Sequence, residues 1–208
     1  MSFRRRLGNQ RRIGFRDPKK FFFIAMEGKE TEPRYFQEFK TPRDANIQLK
    51  LVPNPKHKSK PSEVLDRLRH YMRNNAMRTG DEGWIIIDKN SWQEAELDAV
   101  CHRAAQDGYF VAVSNPCFEL WLYLHFRDNR PFTDRHQCQR ELAQVLSGYS
   151  PDDKASFKVL ELMNGVKAAL ARAQAIDTNR TQPWPRAQCT RVYQLVQKLS
   201  PDAMPNTH

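Results

Sequence analysis

Closely spaced cysteines are missing from this sequence. Its four cysteines, Cys101, Cys117, Cys138 and Cys189, form no C-x-x-C pair. That argues against a zinc site and for a reduced, intracellular protein. No apolar run approaches the ~18 residues that span a bilayer. The basic N-terminus is not followed by an apolar stretch and a small-residue cleavage site, so it does not read as a secretory signal. These absences point to a cytoplasmic protein with no membrane partner. There is no G-x-S-x-G elbow, and hence no serine-hydrolase signal. Gly28-Lys29 lacks the earlier glycine of G-x-x-x-x-G-K-[ST], which excludes ATP binding by a P-loop. Internal repeats and low-complexity segments are also absent.

What is present can build a core. The 208 residues are 39% apolar and 11% aromatic, so disorder is not the default, and the length suits one domain or one domain with a small appendage. The net charge of +10 is unevenly spread. Residues 1–20 hold eight positive side chains (Arg4, Arg5, Arg6, Arg11, Arg12, Arg16, Lys19, Lys20) against Asp17, leaving only +3 for the other 188 residues. Such an arm reads as a phosphate-binding tail or as a solubilising terminus. A second basic cluster, Lys56, His57, Lys58 and Lys60, reads as a loop that tracks a nucleic-acid backbone or as a solvated turn.

The stretch that organises the chain is residues 21–36. Five consecutive apolar residues, then Met26, predict a strand buried on both faces. An acidic turn follows, and Pro33 suits the first turn of a helix over 33–40, with Tyr35, Phe36 and Phe39 on one face. Residues 47–52 alternate apolar and polar as an edge or half-buried strand, ended by Pro53 and Pro55. A helix is predicted over 61–77 on the stripe Val64, Leu65, Leu68, Tyr71 and Met72. Residues 79–83 read as a break and 84–88 as a second core strand. Ser91 is placed to cap a helix running to about 106, closed by Gly108. A third core strand over 109–113, the turn Ser114-Asn115-Pro116 and an apolar helix over 117–126 complete a β-α-β-α-β-α-β-α order. That order predicts a mostly parallel sheet covered by helices. Helices are expected over 135–146, 155–175 and 188–199, with a frayed end at 200–208. The expected division is a basic arm over 1–19, an α/β core over 20–130 and a helical C-terminal extension over 131–208, packed on the core.

Three carboxylates stand at the exits of core strands: Glu27 (with Glu30 and Glu32 near it), Asp88 (with Asn90 two residues on) and Glu119. If the strands are neighbours, these groups converge at one sheet edge, where open α/β sheets bind ligands. Converging carboxylates repel one another unless a cation neutralises them, and hard oxygen donors suit Mg²⁺ or Mn²⁺ acting on phosphate. Each acid also has a structural reading, as a first-turn acid favoured by the helix dipole or as a cap. Cys117 beside Asn115 has no histidine with a sequence reason to approach it, and its apolar neighbours point to a buried thiol.

The string Glu27-Gly28-Lys29-Glu30-Thr31-Glu32-Pro33-Arg34-Tyr35-Phe36 closely resembles the E-G-x-x-T-E-P-x-Y-F motif of RloB-like proteins. Ser114-Asn115-Pro116-Cys117-Phe118-Glu119-Leu120-Trp121, with Leu124-His125-Phe126 one turn on, resembles that family's second signature. The basic arm and Thr190-Arg191-Val192 also fit, so the resemblance spans roughly residues 4–199. It implies a Toprim-like fold related to the overcoming-lysogenization-defect nucleases, Mg²⁺-dependent phosphodiester chemistry, and bacterial defence against phage, often beside a partner AAA-type ATPase. Carried over by position, it implies Glu27, Asp88 and Glu119 as catalytic residues. The implied metal ligands are Glu27, Glu32, Asp88, Asn90, Asn115 and Glu119. His125 is then a supporting or a core residue. The departure lies in the D-x-D motif, which reads Asp88-Lys89-Asn90 here. An amide supplies no charge, so one metal site is weakened, or Glu94 substitutes, or this member does not cleave.

The expected function is a metal-dependent nuclease with Mg²⁺ or Mn²⁺, gripping DNA or RNA through Arg4, Arg5, Arg6, Arg11, Arg12, Lys56, Lys58 and Lys60. The alternatives are a non-catalytic sensor or adaptor and a small-nucleotide phosphohydrolase. A homo-oligomer is left open.

Overall fold

The computed structural model describes residues 19–200 except 41–45, 57, 76, 91 and 155. The arginines of the N-terminal arm, His57 of the basic loop, the Ser91 cap and the 201–208 end lie outside the described residues.

The apolar runs become strands, as their composition predicts: β1 (Lys20–Met26), β2 (Ile47–Leu51), β3 (Glu82–Asp88) and β4 (Phe110–Asn115). A two-residue β5 (Cys189–Thr190) joins from the C-terminal part. The sheet order is β2-β1-β3-β4-β5, parallel throughout except for β5, which runs antiparallel to β4. Side chains of a strand alternate between faces, and both faces here are covered. Phe22, Ile24, Met26, Trp84, Ile86 and Ala112 enter one core. Phe23, Ala25, Ile85, Ile87 and Val113 enter the other.

The second core is closed by α2 (Pro61–Asn74) and α3 (Glu94–Gln106), through Val64, Leu65, Leu68 and Met72 of the one and Leu97, Val100, Cys101 and Ala104 of the other. The first core is closed by α1 (Thr31–Gln37), α4 (Glu119–Tyr123), α5 (Arg135–Ala143), α6 (Val159–Ile176) and α7 (Val192–Leu199). Residues beyond 130 therefore share a continuous apolar core with the first strand. Gly165 of α6 lies so close to the His125 carbonyl that a Cβ there would stand 2.5 Å from its oxygen.

Several element ends shift by a few residues from the sequence-based expectation, and three of these differences have a clear tertiary reason. Glu82 and Gly83 belong to β3 instead of the preceding break. Glu82 is buried because Lys20 Nζ (2.7 Å), Lys198 Nζ (2.8 Å) and Trp84 Nε1 (2.8 Å) all donate to its carboxylate. The helix expected over 188–199 begins only at Val192. The residues before it pair with β4, where Thr190 and Ser114 hydroxyls meet at 2.8 Å and Arg191 N–H donates to Val113 O at 3.0 Å. The helix expected from 155 starts at Val159, after Phe157 has plugged the core and Lys158 N–H has bonded to Ser147 O at 3.0 Å.

Candidate functional site

Because β1, β3 and β4 are adjacent and parallel, their carboxyl ends deliver the motif residues to one place. Glu27 follows β1 directly, and its N–H extends the ladder to Ile86 O at 2.9 Å. Asp88 is the last residue of β3. Beyond β4 the Asn115-Pro116 turn, a cis peptide, leads into α4 with Glu119 as its first residue. Glu32 lies in the first turn of α1, where a carboxylate suits the helix dipole. Together they line a cleft of about 460 Å³, joined by Lys29, Glu30, Asn90, Arg135, Gln139 and Lys154, with Ser59 of the basic loop at its rim.

The hydrogen bonds divide the acids into two groups. Glu27 Oε2 accepts from Asp88 N–H at 3.1 Å, and its Oε1 accepts from Asn90 Nδ2 at 3.4 Å. Glu32 Oε1 accepts from Gly28 N–H at 2.9 Å. A Cβ on Gly28 would lie 1.8 Å from Glu32 Oε2, so only glycine lets the turn approach this carboxylate. Asp88 Oδ1 is cut off from solvent and has no hydrogen-bond partner among the described residues. Burial raises the proton affinity of Glu27 even against these bonds. Burial, and then the charges of Glu119 and Glu27, push Glu32 up to about 7. Asp88 is raised well above its ordinary value by burial and by the charges of Glu32, Glu119 and Glu27. These three acids hold more negative charge than the protein compensates.

Glu119 differs. Its Oε1 accepts from Lys154 Nζ (2.9 Å), Gln139 Nε2 (3.0 Å) and Tyr149 OH (3.0 Å). Burial is the largest single influence and acts to raise its proton affinity, but the Lys154 charge and the hydrogen bonds to the carboxylate together outweigh it, and Glu119 stays below the usual carboxylate range. Lys154 in turn is held protonated by Glu119 despite its own desolvation.

Asn90 has a backbone reason to be an amide. Its φ of 39° lies in the left-handed region, which asparagine tolerates better than most residues. Its Oδ1 accepts from Arg135 Nη1 at 3.3 Å.

The remaining candidates fall elsewhere. Asn115 does not line the cleft; its Nδ2 donates to Pro185 O (3.2 Å) and Arg186 O (2.9 Å), fixing the loop that leads to β5. Glu94, considered as a substitute for Asn90, pairs with Arg186 at 2.9 Å. His125 is a core residue. Its Nδ1 donates to Trp121 O (2.9 Å), its Nε2 accepts from Tyr35 OH (3.2 Å), and burial lowers its pKa to about 4. Cys117 is a buried thiol whose hydrogen bond with Cys138, together with burial, raises it well above the ordinary thiol value, so it is no nucleophile. Lys56, Lys58 and Lys60 are exposed on the loop beside the cleft, with Lys58 Nζ 3.4 Å from Glu63. Arg135, Gln139, Tyr149 and Lys154 escaped the sequence reading because no motif marks them. They reach the acids only through the packing of α5 and the 147–158 segment on α4.

Among the described residues, no group of three or more His, Cys, Asp or Glu side chains is arranged to hold a metal ion by itself. Among the same residues no helix is long and apolar enough to cross a membrane.

Neither a curated protein nor a solved structure matches this chain. A model of the RloB-like protein family matches residues 22–199, which takes in every strand end that carries a cleft carboxylate and helices α1 to α7. The chain belongs to the RloB-like family.

Proposed function

We propose that this protein is a divalent-metal-dependent phosphodiesterase acting on nucleic acid, with the Toprim-like chemistry and the role in anti-phage defence that its motifs resemble. The observation that carries this reading is the buried, unpartnered Asp88 Oδ1 in a cleft that Glu27 and Glu32 also line and that has a basic rim. An orphaned carboxylate oxygen among like charges calls for a cation, and the donor set is hard oxygen throughout. The lack of a closed protein cage among the described residues fits magnesium in particular, which commonly takes one or two carboxylates and completes its shell with water and substrate phosphate. Asp88, with Glu27 or Glu32 beside it, would supply the one or two carboxylate ligands, and when bound the ion would shield phosphate charge and lower the pKa of water.

The chain's own groups supply the remainder. Lys29, Arg135 and Lys154 present positive charge to a phosphate in the cleft. Glu27 Oε2 is held by the Asp88 amide at 3.1 Å and Oε1 by the longer bond from Asn90 at 3.4 Å, so Oε1 is the oxygen we assign to taking up or returning a proton. Lys56, Lys58, Lys60 and the N-terminal arginines grip backbone phosphates, an interaction without sequence preference. A partner AAA-type ATPase would act by delivering or releasing the substrate.

The test is cleavage of labelled DNA and RNA with Mg²⁺ or Mn²⁺. Glu27→Gln and Asp88→Asn should each abolish cutting while leaving folding and nucleic-acid affinity intact. Wild-type rates in both variants would refute the assignment. The amide at Asn90 favours a second reading, a non-cleaving adaptor that keeps the cleft as a docking surface. Cleavage by wild type that is lost in Glu27→Gln excludes it.

A further inference from the structure

The two residues that could build a second cation site are already engaged. Glu119 Oε1 accepts three hydrogen bonds, from Lys154, Gln139 and Tyr149, and the Lys154 ammonium at 2.9 Å already balances the negative charge that the carboxylate as a whole would offer a cation. Asn90 gives its oxygen to Arg135 and turns its Nδ2, a donor, toward Glu27. The opposite group, Glu27, Glu32 and Asp88, faces no lysine or arginine at hydrogen-bond distance among the described residues, and Asp88 Oδ1 has no partner there at all. The charge balance agrees. Exposed Lys29 and Glu30 offset each other on the turn. Inside the cleft, the carboxylates of Glu27, Glu32, Asp88 and Glu119 face the cations of Arg135 and Lys154, a surplus of two negative charges when all four acids are ionised, as a bound cation would make them.

We infer that the cleft takes one divalent cation per chain, held by one or two carboxylates of the Glu27, Glu32 and Asp88 group with water and phosphate completing its shell, and that Lys154, oriented by Glu119, supplies on the facing wall the fixed positive charge that a second cation would bring. This rests on the phosphodiesterase reading above and alters it in one respect: Glu119 is a positioning residue for a phosphate-facing lysine and not a metal ligand. A lysine held on a buried carboxylate is fixed in place, so its charge needs no reorganisation when phosphate enters. Tyr149 and Gln139 strengthen this by fixing the carboxylate itself.

The experiment counts the ions directly. Bound Mn²⁺ is measured by electron paramagnetic resonance during titration of the full chain, with and without inorganic phosphate as the probe. Wild type should bind one Mn²⁺ and show no spin-coupled pair. Glu119→Gln should still bind one, with less than a threefold change in Mn²⁺ affinity, but bind phosphate about tenfold more weakly. Lys154→Met should show the same phosphate loss at an unchanged count, and Asp88→Asn should bind none. Thermal unfolding of each variant checks folding, and a circular-dichroism spectrum like that of wild type qualifies it for comparison. Two Mn²⁺ in wild type, or a tenfold loss of Mn²⁺ affinity in Glu119→Gln, would overturn this inference while leaving a metal-dependent enzyme in place. No binding at millimolar Mn²⁺, with phosphate present or absent, would overturn the metal reading itself.

Discussion

Glu32 offers the most quantitative test of the cleft's electrostatics. It is 6% exposed, and burial with the neighbouring charges of Glu119 and Glu27 raises its pKa from 4.5 to about 7. A carboxyl whose pKa is higher folded than unfolded stabilises the fold fully below the unfolded value. That contribution is lost as pH rises through the folded value. The window therefore runs from about 4.5 to about 7. At about 1.4 kcal/mol per pH unit, the ionised side chain costs the fold about 3 kcal/mol above pH 7. Glu32→Gln removes the charge and keeps an oxygen to accept the Gly28 N–H. The variant should be more stable than wild type at pH 8, by up to about 3 kcal/mol, or roughly 6–12 °C in Tm for a chain of this size. At pH 5, close to the lower end of the window, the gap should shrink to below about 1 kcal/mol, or about 1–3 °C. The assay is differential scanning calorimetry across pH 5–8 in chelator, repeated with millimolar Mn²⁺, which should narrow the gap at pH 8 by stabilising only the wild type. Equal melting temperatures at pH 8 in chelator, or a less stable variant, would refute the claim that the acids are undercompensated.

Other outcomes follow from particular side chains. Arg191→Met should destabilise by about 3–5 kcal/mol, read by urea unfolding. It strands Asp177, which is 5% exposed and accepts from Arg191 Nε (3.2 Å), Arg191 Nη2 (3.3 Å) and Tyr193 OH (2.9 Å). Gly28→Ala should displace the Glu32 carboxylate, lowering Mn²⁺ affinity at least tenfold by calorimetry while far-ultraviolet circular dichroism stays that of wild type. Replacing Lys56, Lys58 and Lys60 with glutamine, or deleting residues 1–18, should lower the salt dependence of nucleic-acid binding by about one unit of log–log slope for each phosphate no longer neutralised. An unchanged slope would remove those residues from the interface.

What the sequence displayed was the frame. The runs at 21–26 and 84–88 are apolar enough to be buried on both faces and end in carboxylates, so strand identity and the convergence of Glu27, Asp88 and Glu119 were legible in the residues alone. The carboxylates' unlike roles were not. Lys154 meets Glu119 across 35 residues of chain, and no local pattern distinguishes it from a solvated lysine. Strand β5 is two residues long and exists because β4 has an open edge, which a propensity-based reading assigns to the following helix. Glu82 looked like part of a turn because its partners, Lys20 and Lys198, lie 62 and 116 residues away.

That clamp on Glu82 also fixes where the basic arm is tethered. Lys20 opens β1 at the amino end of the sheet, whereas Glu27 and the cleft stand at the carboxyl end, seven residues and therefore roughly 23 Å away. Exposed Lys19 and its neighbour Lys20 therefore hold positive charge about one strand length from the cleft. Were the polyanion proposed above to touch both places, it would lie along the flank of the molecule. A strand several nucleotides long would then engage both ends of the sheet, and a mononucleotide only one.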